Sequence, residues 1–438
     1  MNSGRLLLGA YLLLQIGVFE HDGAYSPEAL GFLLVSFVLF VSACWLVARR
    51  TTQTLPVSDL RLVGGLLLLL FVGSQRAPGY YLEKPEFAEW ADISVQLVGG
   101  CIALAYLLVP HANRVRTGVF GGAVATAVLL RVGLLWASPS PSVDVFQLAQ
   151  QGSGYLLKGY NPYTSPVWGN LSDGFQYGFA GHAYPPGALL LEAPMFAITG
   201  DARAACLLAE VGFAVSIWLV TRDLAKPTRE LGVLLFLFGP RSLFVLENAW
   251  TEPLILGVFG LSLVLWQRKR PLLAAAVAGF LFGMKHYLAF AAPQYLVLER
   301  RIKPWIVLTG IGMLPFLPFV LWDAEALWKN GILLVVSLGF SDNSLGTASA
   351  LYRLTGKVTP AFVSVIVGSV AAVSFQWLLR RAAPLARYVL AVTATLFATF
   401  LFGAKAFCNY YYLVGGLLLL ALLLHATSAE PRATTSSA

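Results

Sequence analysis

Apolar runs follow one another along nearly the whole chain, each broken by a short polar or charged stretch. Runs near the roughly 20 residues that cross a bilayer recur at 6–19, 29–48, 62–75, 93–110, 117–137, 202–221, 231–247, 252–267, 272–284, 286–298, 304–321, 359–379, 386–404 and 409–425. The pattern predicts an all-α polytopic membrane protein with about 14 transmembrane helices. None of the runs shows the strict alternation of a membrane barrel. The pair within 272–298 is short for two crossings. Its flanks, QRKR and ERRIK, place it as two short helices that enter and return, meeting at Lys285-His286-Tyr287.

Two longer interruptions fall at 138–201 and 322–358. In the first, SVDVFQLAQQGSGYLLKGYNPYT puts Phe146, Ala149, Leu156, Leu157 and Tyr160 on one helical face and Asp144, Gln147, Gln151 and Lys158 toward the other. A short helix so divided lies along a membrane surface. Gly159 and then Asn161-Pro162-Tyr163 stop it and turn the chain. HAYPPGALLLEAPMFAITG follows, where two prolines open a helix too short to cross. Long loops in compact membrane proteins tend to carry function.

Composition agrees with a membrane protein: 58% of residues are hydrophobic and 12% charged, and mean hydropathy is +0.72. The net charge of +8 would admit nucleic acid, but its placement does not. Basic loops (Arg49-Arg50, Arg114 with Arg116, 222–229, Arg268-Lys269-Arg270, Arg300-Arg301 with Lys303, Arg380-Arg381 with Arg387) alternate with acid-rich ones at 20–28, 83–92 and 323–342. By the positive-inside rule the basic loops and both termini are cytoplasmic, in a multi-pass cell-membrane protein. Residues 138–201 and 322–358 are then extracytoplasmic. The four cysteines sit within or beside apolar runs, no Cys/His cluster has zinc spacing, and no internal repeat supports a transporter built of matching halves. The N-terminal run reads as a retained helix, and 427–438 as a disordered tail.

Polar groups gather at one level, near the extracytoplasmic ends of the runs. FGPRSLFVLENAWTEP contributes Arg241, Glu247 and Glu252; GMKHYLAFAAP contributes Lys285 and His286; GAKAFCNYYYL contributes Lys405, Asn409, Tyr410 and Tyr411. Arg131 lies in the span before Asp144. Each has a plainer reading: Arg131 as a snorkelling side chain, the tyrosines as an interfacial belt, Lys285 as a helix-end charge. Together, three cations beside an acid suit a lipid-linked phosphate and proton abstraction.

The ordered series DVFQ, GYNPY, YPPG, ENAWTEP and FGMKHYLAFAAP resembles the GT-C superfamily of membrane glycosyltransferases. The likeness is greatest to the polyprenyl-phosphate-mannose-dependent mannosyltransferases, such as the bacterial phosphatidylinositol mannoside enzymes and the eukaryotic GPI mannosyltransferases. It covers about 117–300 and weakens toward 425. The resemblance implies a GT-C-like fold and inverting transfer of a hexose, mannose by the likeness, from a polyprenyl phosphate to a lipid or glycan acceptor. It implies Asp144 as catalytic base, and donor phosphate held by Lys285 with His286, Arg241 and Lys405. Substrate contacts are expected from Gln147, Asn161, Tyr163, Tyr184, Glu247, Glu252, Asn409 and Tyr410. The chain departs from the family in two places: Asp144 has no second acid beside it, and Asn409-Tyr410-Tyr411 stands where some relatives carry paired histidines. The lone acid points to chemistry without a metal, so no cofactor is expected beyond the lipid donor.

This divides the chain into an added N-terminal four-helix bundle (1–112), a GT-C-like module (113–300, with loop 138–201) and C-terminal helices (301–426). Loop 322–358, with Asp342 and Asn343, is expected to close over the acceptor. The alternative is a transporter or flippase for lipid-linked sugars, which predicts charge along a path at the membrane midplane rather than at one end.

Overall fold

The computed structural model describes residues 2–49, 80–108, 114–170, 176–337 and 340–427, together with 62, 64–66 and 68. The predicted span 62–75 therefore lies mostly outside the described residues, as does the tail from 428. The helices are α1 (Ser3–Glu20), α2 (Pro27–Ala48), α3 (Glu86–Leu108), α4 (Arg114–Ala137), α5 (Asp144–Leu157), α6 (Pro186–Thr199), α7 (Arg203–Val220), α8 (Lys226–Leu237), α9 (Ser242–Glu247), α10 (Glu252–Gln267), α11 (Pro271–Phe280), α12 (Ile302–Met313), α13 (Leu317–Ala326), α14 (Leu334–Ser337), α15 (Thr347–Thr355), α16 (Phe362–Leu378), α17 (Pro384–Phe402) and α18 (Cys408–Thr427). Among the described residues the sheet structure is one antiparallel ribbon, β1 (Val167–Asn170) with β2 (Gln176–Phe179).

Local signals set several ends. Asn2 and Ser26 cap α1 and α2 by accepting from Gly4 N and Ala29 N, and Pro27 follows where its missing N–H is harmless. Gly200 ends α6 in the left-handed conformation.

The centre is formed by α17 and α18. In α17 every residue from Tyr388 to Leu401 is buried, as a helix apolar on all sides must be. Around it, α1 packs on α2 and α18, α2 and α16 pack on α17, and α7 packs on α10. The outer face of α16 carries Val365, Ile366, Val370, Val373 and Trp377, all more than half exposed. A stripe of that kind is stable against lipid and not against water. Among the described residues six helical segments are long and apolar enough to cross a bilayer, among them α2, α4, α7, α17 and most of α18. The protein is thus all-α and membrane-embedded.

The structure corrects several sequence boundaries. The run 231–247 is not one helix: α8 ends at Leu237, and the chain turns through Gly239-Pro240-Arg241 before α9. Residues 286–297 form short 3₁₀ turns where Gly283 and Pro293 interrupt the run. The run from 302 does not stop at 321. Pro315 and Pro318 kink it without ending it, and it continues through an extended Asp323 and a π turn to Ser337. Most of the expected loop 322–358 is therefore helix. Asp342 and Asn343 are engaged through backbone: Arg353 donates to Asp342 O, and Asn343 O accepts from Tyr25 N. Helices α1 and α2 share one core with α17 and α18.

Arg131 does not snorkel. It is 1% exposed, and its Nε bonds Glu210 while its other nitrogens donate to the carbonyls of Ala127 and Leu237. Tyr412 also donates to Glu210, so the pair ties α4, α7, α8 and α18 together. Removing one partner strands the other charge inside the bundle. Arg131→Leu should lower stability by about 3–5 kcal/mol, and adding Glu210→Leu should recover much of that loss. Unfolding of both variants in matched detergent measures it.

Candidate functional site

The site begins with α5. Asp144 is its first residue, where a carboxylate complements the helix dipole, and Oδ1 accepts from Val145 N at 2.8 Å. Val145, Phe146, Leu148 and Ala149 are buried as α5 packs on α6, so the amphipathic pattern fixes the face that Asp144 presents. The Asn-Pro-Tyr turn then positions the next wall. Asn161 Oδ1 accepts from Tyr163 N (2.9 Å), and the buried Tyr163 hydroxyl donates to Tyr184 O (2.8 Å). After the two prolines, Gly187 meets the backbone of Gly283 so closely that a Cβ would lie 2.5 Å from its carbonyl oxygen. Only glycine permits this approach, and it brings the Tyr184 ring within 4.4 Å of Lys285 Nζ.

Lys285 is extended between two 3₁₀ turns and 4% exposed. Its ammonium lies 3.6 Å from Glu252 Oε1, which also accepts from Tyr287 at 2.8 Å. Lys405, in the turn between α17 and α18, has no ion-pair partner among the described residues. Burial lowers its pKa; Asp144 raises it and Lys285 lowers it further, so all three charges feel one another.

Asp144, Tyr184, Lys285, Lys405, Asn409 and Tyr410 line a single cleft with about 280 Å³ of free volume, joined by Val143, Val145, Trp250, Phe407 and residues 22–24. The other sequence candidates stand behind it. Glu252 holds Lys285. Arg241 pairs with Asp22, and both sit at positive φ, 63° and 55°. Glu247 accepts from Tyr80 N and Tyr81 N, fixing the chain ahead of α3. Gln147 accepts from Gln151, which in turn bonds the backbone of Trp168 in the ribbon. Asn161 and Tyr163 build the turn. His286 does not line the cleft, and its Nε2 is buried without a partner.

Two residues that matter were missed in the sequence. Asp22 forms part of the cleft wall, and its Asp-Gly turn was the available signal. Gly23 has φ +75° and lies so near Cys408 that a Cβ would be 2.4 Å from the Cα, which presses the first loop onto the start of α18. The second is Arg203, read as part of an apolar span. It is fully buried, bonds Asp201 through two nitrogens, and donates to the carbonyls of Ser138 and Glu247. Its guanidinium also lies 4.8 Å from the Phe146 ring. No signal short of tertiary structure marks it.

Among the described residues no three His, Cys, Asp or Glu side chains group as metal ligands. Comparison of the chain with protein-family models, curated proteins and solved structures gave no match.

His182 packs behind the cleft wall between Tyr163 and Tyr184, with Nδ1 3.2 Å from Leu148 O. Burial pushes its pKa down to about 4 from the ordinary 6.5. Below pH 6.5 the unfolded chain takes up a proton that the folded chain refuses. Stability present above that pH is therefore lost as pH falls toward 4, by an amount on the order of 3 kcal/mol. His182→Asn, whose amide can still donate to Leu148 O, should flatten this acid slope in unfolding experiments between pH 7 and pH 4.

Proposed function

We propose that the protein is an inverting GT-C-like membrane glycosyltransferase that takes a hexose from a polyprenyl-phosphate sugar at the extracytoplasmic face. The observation that carries this reading is one cleft lined by two lysines, Lys285 and Lys405, and two carboxylates, of which Asp22 is paired with Arg241 and Asp144 is not in an ion pair among the described residues. Tyr184, Trp250 and Tyr410 supply the flat apolar walls on which a sugar ring can rest.

In this mechanism Asp144 accepts the proton of the acceptor hydroxyl as that oxygen bonds to the anomeric carbon. The bond from that carbon to the donor phosphate breaks on the opposite side, and the departing phosphate carries the electron pair away. Lys405 meets the growing phosphate charge, because it has no carboxylate of its own to leave. Lys285 assists from a fixed position, its charge shared with Glu252. Two cations placed before the reaction lower the barrier without reorganisation. Asn409 is placed to bond a sugar or acceptor hydroxyl at the cleft wall.

Asp144, Lys285 and Lys405 converge on one cleft rather than marking out a path, which favours group transfer over transport. Purified protein in lipid, supplied with a panel of polyprenyl-phosphate sugars, should release free polyprenyl phosphate. Asp144→Asn should reduce turnover by about 100-fold or more with stability nearly unchanged. Lys405→Met should cost roughly 100-fold in kcat, and more than Lys285→Met. Undiminished turnover in Asp144→Asn would remove Asp144 as base, and sugar movement across the bilayer without release of polyprenyl phosphate would favour the transporter.

A further inference from the structure

A second cationic cleft lies at the opposite end of the bundle, with about 480 Å³ of free volume. It is lined by Arg300, Arg380 and Arg387 and by the apolar side chains of Leu296, Val373 and Trp377. Helix α17 connects the two ends: Pro384 begins it near this cleft, and Phe402 ends it near the turn that holds Lys405. Its 19 residues rise about 28 Å, close to the thickness of a bilayer's hydrocarbon core. The arginines therefore sit one membrane thickness from Asp144, at the level of the other leaflet's headgroups.

Among the described residues the three guanidinium groups share this space without a carboxylate partner. No Asp or Glu occurs between Asp342 and Glu430, so neither α16 nor α17 carries one. On the third wall Glu299 is held by Arg301 through two nitrogens, 2.8 and 2.5 Å. Like charges brought together beside apolar walls are costly unless an anion joins them.

The cluster is also held in position. Arg387 donates to Gln376 O at 2.7 Å, and its Nε is buried without a partner. Gln376 is itself tied to Pro293 O. Arg380 stacks on Trp377, with 4.3 Å from guanidinium carbon to ring centre. Fixed, partly unsatisfied guanidinium donors are matched by phosphate oxygens.

The mouth tells which kind of phosphate. Val373 and Trp377 are the last residues of the lipid-facing stripe on α16, and Leu296 is also exposed. The cleft thus opens onto the apolar surface rather than away from it. We propose that it is a binding site for an anionic phospholipid: Arg300, Arg380 and Arg387 hold the phosphate, and an acyl chain lies along Val373 and Trp377. The site is independent of the transferase reading.

Native mass spectrometry of the full-length protein in detergent tests this, using phosphatidylglycerol, phosphatidylcholine of the same chain length, and soluble glycerol phosphate as probes. Phosphatidylglycerol should be retained about tenfold more strongly than phosphatidylcholine. Arg300→Gln/Arg380→Gln, both exposed side chains, should lose that preference, while Arg268→Gln/Arg270→Gln, which removes equal charge elsewhere, should keep it. Equal retention of the two lipids, or equal loss in both variants, overturns the proposal. Binding of glycerol phosphate as strong as that of phosphatidylglycerol overturns the lipid assignment in favour of a free phosphate. If the first pair fails to fold, Trp377→Leu removes the platform under Arg380, and undiminished preference there overturns the proposal as well.

Discussion

The buried guanidinium of Arg203 is the constraint on which the Asp144 end depends. A charge with no access to water must find partners or destabilise the fold, and here it finds them at places far apart in sequence. It holds Asp201 and Ser138, the two ends of the segment that carries α5 and α6, and the carbonyl of Glu247 at the end of α9. One side chain thus closes a loop of more than 60 residues and sets it against the next pair of helices. Phe146, against the guanidinium, transmits that position to α5 and so to Asp144. The loop is long in sequence, yet its two ends are tied together through buried hydrogen bonds.

The two lysines of the cleft illustrate how surroundings separate like groups. Lys285 is partnered by Glu252, and the Tyr184 ring lies under it, so it is fixed in place and largely neutralised. Among the described residues Lys405 has no carboxylate as ion-pair partner, and burial weakens its hold on the proton. A residue that looks like the stronger cation in sequence, inside an apolar run, is in structure the better satisfied one. Any anion entering the cleft finds Lys405 with its charge uncommitted.

What the sequence made legible was local. The helix from Asp144, the Asn-Pro-Tyr stop and the proline-led helix at 186 appear where they were read, because periodicity and turn chemistry act over a few residues, although Leu157 and Tyr160 of the expected apolar face are exposed and Val145 and Leu148 are buried instead. Lys285, Lys405, Asn409 and Tyr410 were legible as polar groups at the ends of apolar runs, and one cleft gathers them. The misreadings were long-range. The pairing of Arg241 with Asp22, more than 200 residues away in the chain, was not legible. The run from 304 was read as ending at 321, yet the helical chain continues to Ser337. Arg203 was read as part of an apolar span, since of its partners only Asp201 lies near it in the chain, and Ser138 and Glu247 are more than 40 residues away.

The contact of Gly23 with Cys408 has a consequence for how the protein comes into being. The cleft takes Asp22 from the first loop of the chain and Asn409 from its last helix. Synthesis proceeds from one end to the other, so helices enter the membrane long before their final neighbours exist. The wall supplied by residues 22–24 waits through the making of almost the entire polypeptide before its opposite face arrives. The cleft is consequently finished only after α18 has been made, and a chain released before α18 has no finished cleft.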